Sequence, residues 1–242
     1  VKRGRAGRPE KPISRELKSN AQLAAFLRKR RAAGDWTYEE VAEQSDGLSR
    51  QTLQRAAAGG MTVPSWPVVS AFIRATSPLR ETDVELERAT KTALDLWRKA
   101  RYEQRQKTMS RRPEPPVLAL VRSEADLAAV LVELYERSGA PSMKTMERRA
   151  GGLGILPHST AHRIVTRKTL PYTLVQFDAF LNACDVPMKR RDPWYAMWAR
   201  VVGMHPIELK SELAKLHASP PSEGRVRSIA DTPARGFLAN AA

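Results

Sequence analysis

Four side chains between positions 50 and 55 are of the kinds that read a base edge. Arg50, Gln51, Gln54 and Arg55 stand within TYEEVAEQSDGLSRQTLQRAAAGG, residues 37–60. A guanidinium offers paired donors that match guanine O6 and N7, and a carboxamide pairs with adenine N6 and N7. On a 3.6-residue period the four share one stripe, opposite Leu53, Ala56 and Ala57. A plain solvated helix face uses the same residue types, so the stripe alone does not decide its use.

A second stripe lies in SMKTMERRAGGLGILPHSTAHRIVTRK, which begins at Ser142. There His158, Ser159, His162 and Arg163 take the outward positions, and Arg167 and Lys168 extend them. His158 and His162 stand at i, i+4, the spacing that brings two imidazoles to one metal. The glutamate of an HExxH site is missing, and no nearby Cys or further His completes a ligand set. The expectation is therefore DNA contact without a metal or other cofactor, stronger at lower pH as the imidazoles gain charge.

These stripes need elements to hold them. Leu23, Phe26 and Leu27 at i, i+3, i+4 predict a helix over 20–33, ended by Gly34. Thr37 caps a second helix carrying Glu39 and Glu40 in its first turn, and Asp46-Gly47 makes the turn. Ser49 caps the third helix, and Val63-Pro64 leads into a fourth with Val69, Phe72 and Ile73 inward. The amide ends of both second helices, at Thr37 and Ser142, are expected to receive phosphates. From Glu81 to about Gln106, Leu86, Ala89, Thr90, Ala93, Leu94 and Trp97 keep one helical face. Such a helix spans roughly 40 Å, and its basic end runs from Arg98 to Arg112. Pro113, Pro115 and Pro116 then stop it.

The second half repeats this order. ADLAAVLVELYERSG at Ala125 parallels AQLAAFLRKRRAAG at Ala21, STAHR at Ser159 parallels QTLQR at Gln51, and MWAR echoes LWRK. The organisation expected is a disordered basic arm over 1–19, a first unit over 20–108, a linker over 109–121 and a second unit over 122–204. Residues 205–242 are read as a short helix, built on Ile207, Leu209, Leu213 and Leu216, and a disordered tail. The fold class is all-α. Trp66, Trp97, Trp194 and Trp198 are assigned to cores, and Cys184 to a buried apolar face.

Composition agrees with an anionic partner. Among 242 residues, 41 Lys and Arg face 26 Asp and Glu, a net charge of +15. The isoelectric point is near 10.4, the footprint of a nucleic-acid binder. Residues 1–19 hold seven Lys and Arg against two Glu. Arg3, Arg5 and Arg8 flank Gly7 and Pro9 as in a loose AT-hook, where arginine enters a narrow minor groove. No stretch approaches the ~20 apolar residues of a membrane span and no leader is evident, which gives a cytoplasmic, nucleoid-associated expectation. A single cysteine excludes an intramolecular disulfide and a thiolate zinc cluster. There is no phosphate-cradling glycine loop, paired-carboxylate constellation or nucleophile elbow, so an enzyme is not expected.

The order of parts resembles the lambda-repressor-like (XRE/Cro-type) helix-turn-helix family. It is most similar to a sub-group common in high-GC bacteria. The resemblance rests on Gly47-Leu48-Ser49, Gln51-Thr52, Val63-Pro64 and Trp97 in the first half. In the second it rests on Leu156-Pro157, Ser159-Thr160, Leu170-Pro171, Ala183-Cys184 and Trp198. It covers about 20–106 and 122–204, and it adds Thr52 to the candidate DNA contacts. What it implies is two tandem helix-turn-helix bundles joined by a long basic helix and a Pro-rich linker. The partner implied is double-stranded DNA, read by a monomeric pseudo-dimer or by a homodimer, and the role is transcriptional regulation. The departure is the turn Ala150-Gly151-Gly152-Leu153-Gly154, longer than the family's. Two other uses fit the same residues: architectural or replicon-maintenance binding of DNA, and an adaptor whose second copy no longer touches DNA.

Overall fold

Apolar residues one helical turn apart must be covered by something, and in the first half they cover one another. The computed structural model describes residues 10–45, 47–78, 81–108, 114–152 and 154–218. Helices α1 (Lys18–Ala33), α2 (Tyr38–Glu43), α3 (Arg50–Ala56) and α4 (Trp66–Ala75) bring Leu23, Leu27, Val41, Leu53, Val69, Phe72 and Ile73 into one core. Each of these seven is fully buried. Helix α5 (Asp83–Thr108) closes the bundle by running back along α1. Its direction is fixed at both ends. Glu81, just before α5, pairs with Arg30 near the end of α1. Glu103, in the last turns of α5, accepts from the amides of Lys18 (3.0 Å) and Ser19 (2.7 Å) at the start of α1. A carboxylate on those unpaired amides also suits the positive end of the helix dipole.

Residues 10–17, expected within an unfolded arm, are instead packed. Leu17 is fully buried with Val63 and Ala100, and the Ser14 amide donates to the Ala58 carbonyl at 2.9 Å. Gly59 makes room for this strap. Its φ is +75°, and a Cβ there would come within 2.6 Å of Ile13 Cγ2 and 2.9 Å of the Ser14 carbonyl. The apolar Ile13 and Leu17 outweigh the charge that marked this stretch as disordered. The expected disorder and minor-groove contact over 1–9, with Arg3, Arg5 and Arg8, fall outside the described residues, as do Asp46 and the tail from Ser219.

The second half forms α6 (Glu124–Arg137), α7 (Met143–Arg149), α8 (His158–Val165), α9 (Leu174–Ala183) and α10 (Asp192–Val202), followed by α11 (Pro206–Ala218). Phe177, Phe180, Met197 and Trp198 sit at the centre of their core, with Phe177 and Trp198 stacked at 5.6 Å. One detail recurs in both halves. The Trp97 indole donates to the Pro64 carbonyl at 2.8 Å, and the Trp198 indole to the Pro171 carbonyl at 2.7 Å. Each bond ties the last long helix to the entry into the fourth. Cys184 is buried, and burial pushes its thiol up to about 12, so it behaves as a small apolar group. In the same half the buried Asp178 accepts from Arg191 Nη1 (2.5 Å) and the Tyr195 hydroxyl (2.6 Å). Among the described residues all regular elements are helical, and none is long and apolar enough to cross a membrane.

Three expectations about the connections change. The linker expected over 109–121 is not a free spacer in its described part. A 3-10 turn at Leu118–Leu120 leads to fully buried Val121, and Arg200 reaches the Leu118, Ala119 and Val121 carbonyls at 3.2–3.4 Å. On α11, Leu209, Leu213 and Leu216 pack on the second core, while Ile207 is 72% exposed. Helix α5, about 39 Å long from its 26 residues, does not hold the halves apart; the second half lies directly on it. Arg105 makes a two-pronged contact with Glu136, Tyr102 donates to Glu133 at 2.7 Å, and Arg98 pairs with Asp185. Gly139, with φ +91°, lies under the Trp97 ring, where a Cβ would approach Cζ3 to 2.6 Å. Two cations of the basic end of α5, Arg98 and Arg105, are therefore neutralised inside the chain.

Candidate nucleic-acid interface

Helix α3 is short, so its placement depends on its ends. The Ser49 hydroxyl accepts from the Thr52 amide at 3.2 Å and starts it. At the other end Arg28 of α1 donates to the Ala57 carbonyl at 2.8 Å. Leu53 and Ala56 anchor its inner face. What remains outside is the stripe: Arg50, Gln51, Gln54 and Arg55 are all exposed. Thr52 is not on it. Thr52 is half-buried, with its hydroxyl 3.0 Å from Ser49 Oγ, which makes it part of the cap.

Arg50 has a partner that the sequence pattern did not indicate. It pairs with Glu39 of α2, and both side chains stay more than half exposed. Glu39 was visible only as an acidic residue suited to a helix N-terminus. The turn that brings α2 and α3 together supplies the rest.

The amide end of α2 is also engaged. The Thr37 amide donates to the Glu40 carboxylate at 2.8 Å, and the Glu40 amide returns a bond to the Thr37 hydroxyl at 3.2 Å. This capping box places a carboxylate where a phosphate was expected. Ser142 differs. Its hydroxyl accepts from the Thr145 amide at 3.2 Å, and the first turn of α7 holds no acid.

In the second half, His158, Ser159, His162 and Arg163 are all exposed along α8, while Ala161 and Ile164 are buried. His158 Nδ1 lies 3.5 Å from Glu147 of α7. Thus the first residue of α8, like that of α3, faces a carboxylate on the preceding helix. Asn182 of α9 donates to the Arg149 carbonyl at 2.7 Å and holds the end of α7. Arg167 and Lys168 do not continue the stripe, since α8 stops at Val165. The Lys168 amide closes on the Arg163 carbonyl at 2.8 Å, and Arg167 takes a left-handed φ of +59°. That closure is a Schellman turn, usually made with glycine, and it leaves both cations exposed in the turn. The connection 150–157 is longer than its counterpart 44–49. No group of three or more His, Cys, Asp or Glu among the described residues is arranged to hold a metal.

A comparison with curated proteins finds no match, and neither does a comparison with solved structures. Residues 22–88 match the family model of a helix-turn-helix domain. The matched segment runs from α1 into the first turns of α5 and contains the whole α2–turn–α3 unit with its Arg and Gln stripe. The match supports a helix-turn-helix family for this part of the chain, and with it DNA as the partner.

Proposed function

We propose that the chain is a sequence-specific double-stranded DNA-binding protein, a transcriptional regulator that reads DNA with two non-identical helix-turn-helix units. The observation that carries this reading is the exposed stripe of Arg50, Gln51, Gln54 and Arg55 inside the matched domain. These side chains stand on a helix fixed at both ends, so their spacing is set before DNA arrives. Base pairing by Arg and Gln then gives selectivity, at about 1–3 kcal/mol for each good bidentate contact.

The second unit is assigned the same role on three grounds: the repeated order of helices, the repeated Trp-to-Pro bond and the exposed set on α8. Its contacts are His158, Ser159, His162 and Arg163 from the helix, with Arg167 and Lys168 of the following turn and Ser142 at the cap of α7. Because the two stripes differ, the preferred site is asymmetric. One chain then does what a homodimer does with a palindrome.

In vitro selection of bound duplexes tests this, using the full chain and a variant with Arg50, Gln51, Gln54 and Arg55 changed to Ala. The expected outcome is an enriched, non-palindromic sequence preferred over random duplex by about a thousandfold or more, and its loss in the variant. No enrichment, with equal affinity for all duplexes, would favour an architectural role instead. An enriched perfect palindrome occupied by two chains would refute the use of both units by one chain.

A further inference from the structure

Between the two units lies a cleft of about 660 Å³, with walls from the start of α4, the middle of α5, the loop 138–142 and helix α7. Its charged lining is all of one sign: Arg74, Arg101, Arg148 and Arg149. Among the described residues Arg74, Arg101 and Arg148 have no carboxylate within ion-pair reach. Arg149 shares the single Asp185 with Arg98. Arg101 Nε is buried without an acceptor, and its Nη1 donates to Gln104 at 3.2 Å. Beside these cations stand Trp66 and Trp97, with ring centres 5.7 Å apart. The Trp97 indole N–H is spent on Pro64, so that ring has no donor left to offer.

We propose that this cleft binds a small phosphorylated ligand carrying a flat ring, of the nucleotide class. Its phosphates are met by Arg74, Arg101, Arg148 and Arg149, and its ring lies on Trp66. Guanidinium groups suit phosphate because they offer paired donors and stay charged when partly buried. The volume falls within the roughly 300–1,000 Å³ of ligand sites. A duplex is the poorer occupant, because its phosphates line a broad rod, whereas Arg101 and Arg149 line the cleft as half-buried residues. One wall belongs to each unit, so an occupant fixes the angle between α3 and α8. The consequence for DNA affinity rests on the DNA-binding reading; occupancy of the cleft does not.

Calorimetric titration of the full chain with ATP, adenosine and pyrophosphate tests the assignment. The comparison variant is R74Q/R148Q, since both residues are exposed and the fold is checked by circular dichroism. Expected are one saturable ATP per chain, adenosine weaker by about tenfold or more, and a similar loss for ATP in the variant. Absence of saturable ATP binding at millimolar concentration would overturn the proposal, and so would unchanged ATP binding in R74Q/R148Q. Pyrophosphate binding as tightly as ATP would remove the ring, and with it the nucleotide class. If saturating duplex displaces ATP and R74Q/R148Q weakens duplex binding as much as R50A, the cleft belongs to a nucleic-acid track and the assignment fails. Duplex affinity is measured separately, so loss of the DNA-binding reading leaves the ATP result interpretable.

Discussion

Arg50 faces two claims at once, one from Glu39 and one from DNA, and their sizes differ enough to be separated. Both members of the Arg50–Glu39 pair are more than half exposed, and exposed pairs contribute about 0.2–1 kcal/mol. A bidentate contact from arginine to guanine is worth about 1–3 kcal/mol, or about 5- to 140-fold in affinity. R50A should therefore leave stability within about 1 kcal/mol of wild type while weakening binding to the selected duplex by that larger factor. E39Q should act in the opposite direction. It releases Arg50 and removes a negative charge from the approaching phosphates, for a gain of up to about fivefold at low salt. In the R50A background E39Q should gain less, and the difference is the coupling energy of the pair. Fluorescence anisotropy at two salt concentrations, with denaturant unfolding of all four proteins, completes the cycle. If R50A binds duplex within twofold of wild type at low salt, Arg50 is only half of a solvated ion pair, and the reasoning fails.

Two predictions concern the scaffold. Asp178→Ala leaves the guanidinium of Arg191, itself 5% exposed, without its carboxylate, and the Tyr195 hydroxyl without its acceptor. Breaking a buried pair from one side costs about 3–5 kcal/mol, so urea unfolding should show that loss, and a loss under about 1 kcal/mol would refute the network's importance. Glu81 gives a pH test. Its hydrogen bond from Arg30 holds its carboxyl below the ordinary carboxylate range, against burial, with a further bond from Ser77. A depressed acid stabilises the folded state above its unfolded pKa, and that contribution is lost as pH falls through the folded value. Wild type should thus melt above E81Q at neutral pH, and the two should converge in acid; a gap that persists in acid would refute the linkage.

Much of the fold was legible in the chain because it is written locally. The i, i+3, i+4 spacing of Leu23, Phe26 and Leu27 marks a helix whatever lies beside it. Thr37, Ser49 and Ser142 sit three residues before the amides they cap. The exposure of Arg50, Gln51, Gln54 and Arg55 follows from the inward places of Leu53 and Ala56 on the same short helix.

Tertiary structure decided what those charges do. A basic residue facing water and one facing a distant carboxylate look alike in sequence. Arg98, Arg105 and Lys107 belong to the basic end of α5, yet they meet Asp185, Glu136 and the Glu16 carbonyl, 87, 31 and 91 residues away. Residues 10–17 carry a disorder-like composition, but burial of Leu17 against Val63 and Ala100 holds them in place. Arg74 and Arg148 are far apart along the chain and share a cleft only because α5 is packed from both sides. Sequence alone determined the helices, their caps and the faces they present, since each depends on neighbours within a turn or two. The pairing of Arg50 with Glu39, the docking of the two units and the cleft between them came only with the fold, because each needs groups that the chain brings together from outside that range.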